Sequence, residues 1–303
     1  MTGAAEASGL LAVPNVSEGR DAATIERLEG AFAAAAVVLD RHSDETHNRT
    51  VFTLAPHERR AVEALVSGAR EAIAAIDLTA HGGEHPRVGA LDVAPVIYLG
   101  PGDREEARNQ ALEAAGAIAE LGVPVFFYGE LASAAERRER AYFRAGGPSE
   151  LAARMERGDL LPDIGPGSPH PTAGATLVTA RPPLAAFNME FEGMTLAQAK
   201  GVAAALRESG GGRPGVRAIA LALSDHVTQI STNVHDPIAI PLGEVVARAR
   251  ELAGLHAGEI RAAEIVGLVP RAALDGFPGD VPLPGFDRAR GVIESRLAEL
   301  ARE

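Results

Sequence analysis

The sequence predicts an α+β fold in two successive halves, and three observations carry that prediction. Short apolar runs of β type alternate with longer, Ala-rich stretches of helical period along most of the 303 residues. The alternation breaks once, over 158–174, where the density of proline can neither supply ladder donors nor continue a helix. Beyond that loop it restarts with a similar order of elements, which sets the partition at residues 1–178 and 184–303.

Leu10 to Pro14 is the first expected strand. Asp21 then offers an N-cap for a helix to Ala36, with Ile25, Leu28 and Phe32 on one face. Strands are expected at Val37 to Asp40 and Thr50 to Leu54, and a helix from Pro56 to Ile76 with Pro56 in its first turn. The long apolar stretch Val88 to Leu99 should enter the sheet, followed by a helix over Asp103 to Glu120 and a strand over Val123 to Tyr128. The second half reads as strands at Ala175 to Thr179, Ala185 to Glu190, Val216 to Leu223, Val227 to Asn233 and Glu259 to Val266. Its helices are expected at Thr195 to Glu208, Ile240 to Leu255 and Asp287 to Ala301.

Composition narrows the function. The 41 acidic residues outnumber the 29 basic ones, a formal charge of −12 that argues against sequence-independent nucleic-acid binding. Zero Cys excludes disulfides, thiolate metal sites and cysteine nucleophiles, and zero Trp disfavours base-stacking platforms. No apolar run has the length of a membrane span, and the first residues lack the pattern of a signal peptide. A soluble cytoplasmic protein without nucleic-acid or membrane partners is therefore expected. Lys200 is the only lysine, so carboxylate clamps should be arginines.

Two formal motifs fail on context. His81-Gly82-Gly83-Glu84-His85 fits a zinc-peptidase pattern, but that pattern needs a helix, which Gly82-Gly83 and Pro86 oppose. Gly210-x-Gly212-x-x-Gly215 spells a dinucleotide fingerprint with helix and strand in reversed order. What remains is a set of polar clusters between elements: Asn15 to Arg20; His42, Asp44, His47, Asn48 and Arg49; Gly83 to Arg87; and Tyr128-Gly129-Glu130.

The longer motifs that hold these clusters resemble glutamate formimidoyltransferase, the transferase part of formimidoyltransferase-cyclodeaminase. They are Val13-Pro14-Asn15-Val16-Ser17-Glu18-Gly19-Arg20, His47-Asn48-Arg49-Thr50-Val51-Phe52-Thr53 and Gly83-Glu84-His85-Pro86-Arg87-Val88-Gly89-Ala90. Pro124-Val125-Phe126-Phe127-Tyr128-Gly129-Glu130, Pro162-Asp163-Ile164-Gly165-Pro166 and Gln229-Ile230-Ser231-Thr232-Asn233 continue the series in order.

The resemblance implies two ferredoxin-like α/β subdomains with a substrate groove between them. It also implies formimidoyl transfer from N-formimino-L-glutamate to N5 of tetrahydrofolate in histidine degradation, with folate as co-substrate and no metal. By motif, His85 is the catalytic histidine. The folate loop is Gly165-Pro166-Gly167-Ser168-Pro169-His170-Pro171-Thr172-Ala173-Gly174. Asn15, Arg20, His42, Asn48, Arg49, Glu84 and Arg87 are substrate-binding candidates. Ala173 stands where the family's best-known members carry Trp, and His42 where they carry an acid. A homodimer is open, as are two other functions: a relative that transfers formyl instead, and a catalytically silent folate- or anion-binding homologue.

Overall fold

Alternation of buried and exposed positions along the strands builds two separate sheets, each with one face packed on helices. The computed structural model describes residues 9–83 and 86–302, with Arg59 described by its backbone alone. Two units divide it, Met1–Pro182 and Pro183–Glu303.

The first unit opens with β1 (Leu10–Ala12) and β2 (Asn15–Val16), two stretches of one line interrupted at Val13-Pro14. Pro14 has no N–H to give, but its carbonyl accepts from Phe52, and Val13 N–H donates to Pro95. Then follow α1 (Ala22–Ala33), β3 (Ala36–Asp44), β4 (Arg49–Pro56), α2 (Ala61–Ala75) and β5 (Leu91–Tyr98). The order β3-β4-(β1/β2)-β5, all antiparallel, is a βαββαβ ferredoxin-like sheet. It is extended by α3 (Arg104–Ala119), β6 (Val125–Phe127), the short helices α4 (Arg140–Arg144) and α5 (Gly147–Glu156), and β7 (Thr176–Arg181). β7 lies parallel to β5, and β6 parallel to β7 at the edge.

Helices α1, α2 and α3 cover one face of this sheet. Ile25, Leu28 and Phe32 pack there as their spacing predicts, against Phe52, Leu54 and Leu91. Asp21 caps α1 by accepting from Ala23 N–H at 3.1 Å. Gly68 of α2 lets the helices close, because a Cβ there would overlap the Phe32 ring. On the opposite face α4 and α5 cover only one end, where Phe143, Leu151 and Met155 pack on Val93, Phe126 and Leu177.

Several elements differ from the sequence reading, among them the last helix, which begins at Ile293 and not at Asp287. Pro56 does not open a helix: it ends β4, paired with Ala36, and Glu58 at φ 51 breaks the chain before α2 begins at Ala61. β3 continues past Asp40 to Asp44, because its ladder to β4 persists where its apolar alternation stops. The helices α4 and α5 had no sequence counterpart.

The second unit is a four-stranded antiparallel sheet in the order β11-β8-β10-β9, the same βαββαβ topology. Its elements are β8 (Ala185–Glu192), α6 (Leu196–Leu206), β9 (Val216–Ala222), β10 (Val227–Val234), α7 (Leu242–Gly254) and β11 (Glu259–Val266), then α8 (Ile293–Leu300). Phe187, Met189 and Phe191 of β8 face Val202, Leu206 and Val246 of the helices. Thr195 and Gln198 form a capping box at the start of α6. Gly210 and Gly212 follow that helix and precede β9, the order that excludes a dinucleotide fingerprint; a Cβ on either would overlap a carbonyl at the helix end. Among the described residues no helix is long and apolar enough to cross a membrane.

Candidate active site

Polar side chains collect on the face of the large sheet that α1, α2 and α3 leave uncovered. Since Phe52 and Leu54 point into the helix-side core, their neighbours Arg49, Val51 and Thr53 take the other face, and direct pairing adds Asp44, His42 and Asp40 from β3. Asn15, opposite Val51, belongs to it, as do Thr179 and Arg181, which alternate with the core residues Val178 and Ala180. Asn15, Thr53 and Thr179 are all buried.

One corner of this face is a backbone knot around Asn48. Its Oδ1 accepts from Gly19 N–H at 2.8 Å, and its Nδ2 donates to the Gly82 carbonyl at 2.9 Å, joining two of the loops singled out in the sequence. Asn48 takes φ 50, a conformation asparagine tolerates better than most residues. Asp44 holds the same turn, accepting from His47 N–H at 2.8 Å and meeting its Nδ1 at 2.7 Å. The His47 contact pulls the Asp44 carboxyl down to about 2. Arg87 donates to the carbonyls of Gly83 and His81, and Arg20, exposed, donates to the Glu45 carbonyl. Burial and the Arg87 cation push the His81 imidazole below its ordinary value. Glu84 and His85 lie outside the described residues. The flanking residues 81–83 and 86–87 are not helical, which removes the geometry a zinc-peptidase motif needs.

The same face holds a group of arginines. Asp92 is the extra residue of a bulge in β5, between Leu91 opposite Val16 and Val93 opposite Asn15. Its carboxylate accepts from Val88 N–H at 2.7 Å and pairs with Arg144 of α4, a nearly buried contact. Arg49 is lowered to about 9, first by lost hydration and then by Arg144 and Arg140. Arg140 is lowered by burial and Arg144. Burial takes Arg181 down to about 10, and its Nη1 donates to the Pro182 carbonyl at 2.9 Å. A guanidinium keeps its proton in a protein, so this crowding is expressed as positive potential that an anion relieves.

The loop 165–174 is fastened to the same strand region. Leu78 N–H donates to Thr172, and Ala90 N–H to Ala173, at 2.8 and 2.9 Å. Its closing Gly174, at φ +69, bridges Gly89, and a Cβ on either would overlap the facing carbonyl. His170 Nδ1 accepts from Ala173 N–H at 3.1 Å. Ala173 is buried in the helix-side core, so its methyl offers a ligand no stacking surface.

The described substrate-binding candidates from sequence, Asn15, Arg20, His42, Asn48, Arg49 and Arg87, all lie in the first unit; Arg140, Arg144 and Arg181 were not among them. Asp92 was the available signal: a carboxylate inside an otherwise apolar strand implies a buried partner.

Comparison with known proteins decides the family. Residues 9–181 match the formiminotransferase domain, N-terminal subdomain. The chain is 33% identical over 290 residues to a glutamate formimidoyltransferase of Streptococcus pyogenes serotype M1, covering 94% of this chain and 97% of that protein. The chain belongs to the formiminotransferase family. A glutamate formimidoyltransferase of Thermoplasma acidophilum is 35% identical over 300 residues, 95% of this chain and 97% of its own length. The formimidoyltransferase-cyclodeaminase of Sus scrofa is 37% identical over 272 residues, 86% of this chain but 50% of its own length. The formiminotransferase match, residues 9–181, falls within the larger unit, Met1–Pro182.

Proposed function

We propose that this chain transfers the formimidoyl group from N-formimino-L-glutamate to N5 of tetrahydrofolate in the cytoplasm, with His85 as general acid and base. The observation that carries this reading is the similarity over 94% of the chain to a glutamate formimidoyltransferase. The chemistry suits the residues. N5 of the folate attacks the amidine-like carbon of the donor, forming the new C–N bond, and its proton passes to the imidazole. The bond to the glutamate nitrogen then breaks as the imidazole returns the proton to that nitrogen. One imidazole titrating near neutrality serves both steps and contributes about 10²–10⁴-fold.

Both substrates are anions, and the cationic sheet face supports their binding despite a net charge of −12. In this reading the loop 165–174 contacts folate, Asn15, Asn48, His42 and Glu84 orient the reacting groups, and Arg20, Arg49 and Arg87 attract carboxylates. The test is a spectroscopic assay of 5-formiminotetrahydrofolate with the formimino donor and, in parallel, N-formyl-L-glutamate. Product from the formimino donor supports the reading. Turnover of the formyl donor alone overturns it in favour of a formyl-transferring enzyme.

A further inference from the structure

We propose that Arg140, over the Tyr128 ring, and Arg181, at the end of the neighbouring strand, clamp the carboxylates of a glutamyl group. This inference rests on the formimidoyltransferase reading and assigns residues the sequence motifs did not reach. Arg140 places its guanidinium 6.0 Å from the Tyr128 centroid; Tyr128 N–H donates to Val178 of β7 at 3.2 Å, and Arg181 ends that strand, with Nη1 donating to the Pro182 carbonyl at 2.9 Å. The nearby Asp92 is already committed, to Val88 N–H and to Arg144. Among the described residues no carboxylate forms an ion pair with Arg140 or Arg181, whereas Arg137 pairs with Asp163 and Arg104 with Glu130.

Position agrees with charge. Tyr128 directly follows β6, and Arg181 ends β7, so both stand at the carboxyl ends of neighbouring parallel strands, where open α/β sheets bind ligands. Arginine forks match carboxylates bidentately, and Tyr128, only 7% exposed, gives the pair a rigid floor. A purely structural account would need a paired internal anion for each cation; Asp92 and Glu139 attract Arg140 at longer range, but among the described residues no ion pair supplies one to either.

The glutamyl group has two sources, the donor substrate and the tail of the folate, and calorimetry separates them. L-glutamate, tetrahydrofolate and tetrahydropteroate, which lacks the tail, are titrated into wild type, Arg140→Gln, Arg181→Gln and Arg181→Lys. Each Gln variant should weaken a glutamyl ligand by about tenfold or more, the loss expected for a charge-assisted hydrogen bond, while tetrahydropteroate binding stays unchanged. Arg181→Lys should recover part of the loss, since it keeps the charge without the fork. Loss on L-glutamate marks a donor clamp; loss on tetrahydrofolate alone marks a tail clamp; both support the proposal. It is overturned if wild type binds neither glutamyl ligand, if the variants bind both as wild type does, or if tetrahydropteroate weakens equally. Should Arg140→Gln fail to fold, Arg181→Gln decides. Because binding is read without turnover, a wild type that binds through these arginines but forms no 5-formiminotetrahydrofolate defeats the functional reading and leaves the clamp standing.

Discussion

The two sheets share one topology but differ on the face their helices leave uncovered. In the first unit that face carries Asp44, Arg49, Asp92 and Arg181, with Arg140 and Arg144 added by α4. In the second, the corresponding side of β8 and β10 carries Asn188, Glu190, Gln229, Ser231 and Asn233, with Asn188 opposite Ser231 and Glu190 opposite Gln229. Asn188 there donates to Glu264 at 2.9 Å, and Gln229 is buried. The same βαββαβ frame thus supports one face crowded with arginines and another that mixes amides with carboxylates. The difference arises at bulges and insertions, not in the topology: Asp92 is re-aimed by a bulge, and α4 arrives in the segment between β6 and β7 that the second unit lacks.

Substitutions can break this contrast, the largest effect first. Asp92→Ala removes the anion from a nearly buried pair and strands Arg144, so unfolding free energy should fall by about 3–5 kcal/mol in urea denaturation. Equal stability of that variant would show that Arg144 finds another partner and that the charged face is self-sufficient. Thr195→Ala, in the second unit, removes only a cap on α6 and should cost about 1 kcal/mol, with the transferase KM values unchanged. Raising ionic strength should lift KM for the formimino donor a few-fold through screening of the arginine face. A salt-independent KM would argue that the arginines serve the fold alone.

The smallest effect is the acid limb of stability. Asp44 and His81 both titrate lower in the folded chain than in the unfolded one. Each therefore contributes stability that is complete above its unfolded value and is lost as pH falls. For Asp44 the window runs from the ordinary 3.8 down to about 2. Its partial exposure limits the contribution to less than about 1 kcal/mol. Urea midpoints across that window should fall less steeply for Asp44→Asn than for wild type.

The helix-side cores were legible from sequence because period and hydrophobicity agree there: Ile25, Leu28 and Phe32 lie where their spacing puts them. The second face was legible only in part. Arg49 and Asn48 stand next to apolar runs and drew notice, but β3 hides its last residues, because Asp40, His42 and Asp44 occupy strand positions with no apolar alternation to mark them. Arg140 ends the run Glu136-Arg137-Arg138-Glu139-Arg140, which has the composition of a solvated loop, and Arg144 closes α4, a helix of five residues. Only Tyr142 and Phe143 hint that this stretch is anchored, and no period extends from them. Arg181 closes a strand just before Pro182-Pro183, a place indistinguishable from a linker until the parallel pairing of β7 is known.

The most direct test of the account compares wild type with His85→Ala in a single-turnover assay, with N-formimino-L-glutamate and tetrahydrofolate both saturating. The account predicts formation of 5-formiminotetrahydrofolate by wild type and a rate about 10²–10⁴-fold lower in the variant, with both substrates still bound. Transfer at an undiminished rate by His85→Ala would contradict it.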